Sequence, residues 1–87
     1  MADIERAVLA ALAELQDADT DEEQTANAVA RRAGVKFAVA SMTLDRLLHQ
    51  GLVAHRPRPH FPFVRVDQSV ESALYTITRR GRERLAE

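Results

Sequence analysis

What most constrains this chain is a change of apolar period at Gly51. Before it, large apolar residues recur at three- and four-residue steps, as they do on helices with one buried stripe. After it, Pro57, Pro59 and Pro62 forbid helix, and the stretches from Phe63 to Asp67 and from Leu74 to Thr78 alternate as strands do. The chain is therefore expected to be α+β and mostly α, with helices first and a hairpin after them.

The helical part divides at its turn residues. Ile4, Val8, Leu12 and Leu15 define a first helix over about 3 to 16, with Asp3 as its cap, ending in the polar run from Gln16 to Asp21. Leu9 and Ala13 form a second apolar face that is free for a partner subunit. Thr25 is placed to cap a second helix, over about 25 to 33, which Gly34 stops. Val35 then turns back to the core. A third helix, over about 37 to 50, carries Ala40, Leu44, Leu47 and Leu48 before Gly51 ends it. The wing-like segment covers about 52 to 78, with Gln68 to Glu71 joining its two clearest strands, and Thr78 caps a short last helix over about 79 to 86, with Leu85 turned inward.

A chain of 87 residues is expected to form one domain, without an attached effector domain. It has no cysteine, which excludes disulfides and thiol chemistry, and no apolar run long enough for a membrane span. With no signal-peptide pattern either, a cytoplasmic location is expected. His49, His55 and His60 are dispersed, with no carboxylate expected at ligand spacing, and Ser41 and Ser69 have no His–acid pair, so no metal, no cofactor and no catalysis are expected.

The net charge of −1 hides two unlike parts. Residues 1 to 30 hold eight acids against Arg6, whereas residues 31 to 87 hold eleven bases against five acids. Ten of those eleven bases are arginine, whose planar fork suits phosphates and guanine edges.

Three segments in order carry a family resemblance: Thr25 to Val35, Leu44 to Val53, and Tyr75-Thr76-Ile77-Thr78-Arg79-Arg80-Gly81-Arg82-Glu83-Arg84-Leu85. Together they resemble a winged helix-turn-helix of the bacterial PadR and MarR type of transcriptional regulator. The resemblance implies a single winged helix-turn-helix over residues 1 to 87, with its helix-turn-helix at about 25 to 50, and a small regulator that binds double-stranded DNA sequence-specifically. The third helix would enter the major groove and present Lys36, Ala38, Val39, Ser41, Met42, Asp45 and Arg46. Phosphate contacts are expected from Thr25, Arg31 and Arg32, and from Arg56, Arg58 and Arg65 of the Arg/Pro-rich wing on backbone or minor groove. Arg79, Arg80, Arg82 and Arg84 form a second basic cluster suited to phosphate contact or a solvated face. A homodimer would lean on the first helix. The reading face departs from the usual pattern, because Lys36 and Phe37 stand where a capping Ser or Thr is common, and because it is largely apolar. An apolar face also suits the alternative, a protein-interaction or architectural module with weak or no DNA binding, in which Val39, Met42, Leu48 and the phenylalanines form the contact patch.

Overall fold

The computed structural model describes residues 2–18, 23–56 and 74–87. In chain order these form α1 (Asp3–Asp17), α2 (Ala26–Ala33), α3 (Phe37–His49), β1 (Val53–Arg56), β2 (Leu74–Ile77) and α4 (Arg79–Ala86). The four expected helices are present within a residue or so of their expected ends, and Leu74–Ile77 is a strand as expected. Residues 57–73, which hold the strand expected from Phe63 and the Gln68–Glu71 connection, lie outside the described residues.

Gly34 and Gly51 end α2 and α3 in the same way. Both have positive φ, 73° and 75°, which only glycine adopts without strain. In each case the next residue reaches back to a carbonyl five positions earlier, Val35 N to Ala30 O at 3.0 Å and Leu52 N to Leu47 O at 3.0 Å. This is the Schellman closure, and it turns an apolar residue, Val35 or Leu52, into the core directly after the helix. Thr25 Oγ1 accepts from Ala28 N, and Thr78 Oγ1 accepts from Gly81 N, so both threonines cap as expected.

The sheet pairs β1 with β2 antiparallel, in the register Val53↔Ile77 to Arg56↔Leu74. A bridge between Thr25 and Leu74, with Tyr75 N donating to Gln24 O at 2.9 Å, adds the residues before α2 to the other edge of β2. Leu74, Tyr75 and Ile77 are consequently all buried.

Two expectations for α1 are corrected. Its N-cap is Ala2, without a side-chain bond, and Asp3 is already the first helical residue, because Arg6 N bonds Ala2 O. Leu9, expected to face a partner subunit, is fully buried, and Ala13 packs against the same core. The reason is that α2, α3, α4 and β2 all pack on α1, so its buried stripe is wide and includes Val8, Leu9, Leu12 and Leu15. Ile4, expected inside, is 40% exposed, since burial begins one turn later at Val8.

The basic end of the chain is tied to α1. Arg6 Nη1 donates to Leu85 O at 3.0 Å, closing a free carbonyl at the end of α4. Among the described residues no helix is long and apolar enough to cross a membrane.

Candidate nucleic-acid interface

α3 is held at both ends by groups that leave one face free. At its start, Phe37 packs partly against the core, and Lys36 supplies the cap position through its backbone alone, as Ala40 N donates to Lys36 O at 3.0 Å. At its end, Thr78 Oγ1 donates to Gly51 O at 2.7 Å while Thr78 N donates to Leu52 O at 3.1 Å. Between these anchors Ala40, Thr43, Leu44 and Leu47 are buried, with Thr43 Oγ1 satisfied by Val39 O at 2.7 Å.

The opposite face carries the residues expected for reading. Ala38, Met42, Asp45, Arg46 and His49 are exposed along it, with Val39 and Ser41 half-buried at its sides and Lys36 exposed at the helix start. Met42 is 68% exposed. Among the described residues Lys36 and Arg46 make no ion pair, so their charges remain available to an anion. Leu48, assigned to the apolar patch in the alternative reading, instead packs partly against the core.

The other expected contact residues differ among themselves. Thr25 spends its hydroxyl acceptor on the α2 cap and is half-buried. Arg31 and Arg32 are exposed in the last turn of α2, and Arg32 Nη1 lies 3.5 Å from Glu14 Oε2 of α1. Arg56 ends β1, and Arg58 and Arg65 lie outside the described residues.

The charge division of the sequence is partly cancelled within the fold. Asp17 of α1 makes a two-bond pair with Arg82 of α4 at 2.7 and 3.0 Å. These hydrogen bonds hold the Asp17 carboxyl below its ordinary range, against a weaker opposing effect of desolvation. Arg79 and Arg84 pair with Glu83 and Glu87. Three arginines of the C-terminal cluster therefore face acids, and Arg80 is the one without an ion pair among the described residues.

Asp45 and His49, one turn apart, do face each other, with Nδ1 3.7 Å from Oδ2, which corrects the expectation that no carboxylate stands at ligand spacing from a histidine. Among the described residues no third ligating group joins them. Burial, aided by the charge of Asp45, pushes the Tyr75 phenol above its ordinary value.

Two residues that the sequence reading missed control the scaffold. Gln16 Oε1 accepts from Thr76 Oγ1 at 2.7 Å, Ile77 N at 2.9 Å and Gln24 Nε2 at 3.1 Å, joining α1, β2 and the approach to α2. Gly81 packs so tightly that a Cβ there would lie 2.2 Å from Leu52 O.

No family model matches the chain, and no curated protein matches it. Among solved structures it is similar to the crystal structure of the MarR family transcription regulator SP03579, with a TM-score of 0.71 and 21% identity over 99% of this chain. The fold is a winged helix-turn-helix. In this winged helix α2 and α3 are the helix-turn-helix and β1 and β2 the root of the wing. The chain spans about half, 48%, of the length of that regulator.

Proposed function

We propose that this winged helix binds double-stranded DNA sequence-specifically and acts as a small cytoplasmic transcriptional regulator, its 87 residues working as one domain. The observation that carries this reading is the free face of α3 on a helix-turn-helix scaffold, bounded by Lys36 and Arg46, which make no ion pair among the described residues. A helix of this diameter fits the major groove, where base edges present distinct donor, acceptor and methyl patterns. In this reading Lys36, Val39, Ser41, Met42 and Arg46 face bases and adjoining phosphates. Thr25, Arg31 and Arg32 lie at the two ends of α2 as backbone contacts, and Arg56, Arg58 and Arg65 supply the wing. A homodimer on a two-fold operator remains part of the proposal, but a second copy would meet α1 through Ile4 and Ala7, since Leu9 is buried in its own chain. The exposed Met42 equally suits a protein partner, which is the competing reading.

Anisotropy binding to a random-sequence duplex pool across a salt series separates the two. Each phosphate-bound cation steepens the dependence of log affinity on log salt by about 0.9. The double variant Lys36→Ala, Arg46→Ala is expected to bind more weakly and to lower that slope by up to about 2. Absence of binding by the unaltered protein even at low salt would favour the protein-interaction module.

A further inference from the structure

The reading face of α3 has an unusual make-up for a helix meeting a polyanion. Its centre is apolar, with Met42 68% exposed and Ala38 exposed one turn before it, and its cations stand at the ends, at Lys36 and Arg46. Asp45 is exposed on the same face next to Arg46. A carboxylate there is repelled by phosphate and can accept only from base amino groups, so this part of the helix is suited to base edges rather than to the backbone. In the major groove, the one apolar group presented by the bases is the thymine C5-methyl.

We propose that α3 reads thymine through its methyl groups, with Met42 and Ala38 as the apolar contact and Lys36 and Arg46 as the flanking cations. The inference rests on the DNA-binding reading above and names what that site recognises. Methionine suits the task because its unbranched, polarisable side chain adapts to a methyl surface without needing a hydrogen-bond partner. Asp45 adds a preference for a neighbouring cytosine or adenine amino group and disfavours bases that present only acceptors there. Specificity would then come from apolar contact plus exclusion, with few direct donors to bases.

The test compares thymine with uracil, which differs only by the methyl. The protein is used to select from a random-sequence duplex pool, and the enriched duplex is remade with deoxyuridine in place of thymidine. Affinity is expected to fall about fourfold for each contacted methyl removed, with the salt slope unchanged. Met42→Ala should weaken binding to the thymine duplex and shrink the difference between the two duplexes. Because Met42 is exposed, this variant should fold normally, which thermal melting checks. Enrichment with equal binding to the two duplexes, or salt-sensitive binding without enrichment, overturns methyl reading and leaves DNA binding standing. Absence of binding to any duplex at low salt overturns both.

Discussion

Gly81→Ala is expected to destabilise the protein by about 3 kcal/mol or more, although the same change within an ordinary helix stabilises by roughly 1 kcal/mol. Gly81 lies in the first turn of α4, so alanine has the better intrinsic propensity there. Its Cβ, however, would stand 2.2 Å from Leu52 O and 2.7 Å from Ile77 Cγ1. The side-chain atom of Ile77 could yield, but the Leu52 carbonyl cannot readily do so. Leu52 N is bonded to Leu47 O and Leu52 O to Thr78 N, which ties that peptide to the ends of both α3 and β2. Relief therefore requires α4 to move away, disturbing the Thr78 cap and the packing of Leu85. Gly34→Ala is the control, since a Cβ there meets nothing within 4 Å and only the positive φ of 73° opposes it. That variant should lose about 1 to 2 kcal/mol. Urea denaturation of the two variants gives the comparison, and a Gly81→Ala protein as stable as Gly34→Ala would contradict the close contact.

The second large effect is expected at Gln16. A Gln16→Leu variant keeps the shape but removes the acceptor for Thr76 Oγ1, Ile77 N and Gln24 Nε2. The Thr76 hydroxyl can turn elsewhere, whereas the Ile77 amide is fixed by the strand. Leaving that partly buried amide unsatisfied costs about 1 to 3 kcal/mol, so a loss of about 2 kcal/mol is expected. At about 4 to 8 °C per kcal/mol for a domain of this size, the melting temperature should fall by about 8 to 16 °C. Gln16→Glu retains acceptor oxygens in the same place and should lose less, despite an added negative charge near the C-terminus of α1. Equal losses for Leu and Glu would mean that the acceptor is not what Gln16 contributes.

These two residues also mark where the sequence was hard to read. Turn chemistry was legible, because Thr25, Gly34, Gly51 and Thr78 act through their own backbone geometry and near neighbours. The exposed face of α3 was legible for a similar reason, as the buried set Ala40, Thr43, Leu44 and Leu47 leaves only one side for solvent. Gln16 was read as the start of a polar run, since nothing local indicates that Ile77, 61 positions away, needs an acceptor. Gly81 entered only as a letter in a family pattern, and its reason lies in a carbonyl 29 positions earlier in the chain. The burial of Leu9 likewise depends on how many elements converge on α1, which periodicity along one helix does not reveal. The same convergence turned Asp17 and Glu14 toward Arg82 and Arg32, so that part of the apparent polarity of the chain is neutralised within the fold.

The most direct test of the proposed interface is a backbone amide NMR titration of the protein with the duplex it selects. The largest shifts are expected from Lys36 to Arg46, with smaller ones at both ends of α2, while the exposed α4 residues Glu83 and Ala86 stay still. Shifts centred on α1 or α4, with α3 unmoved, would contradict the assignment of α3 as the reading helix.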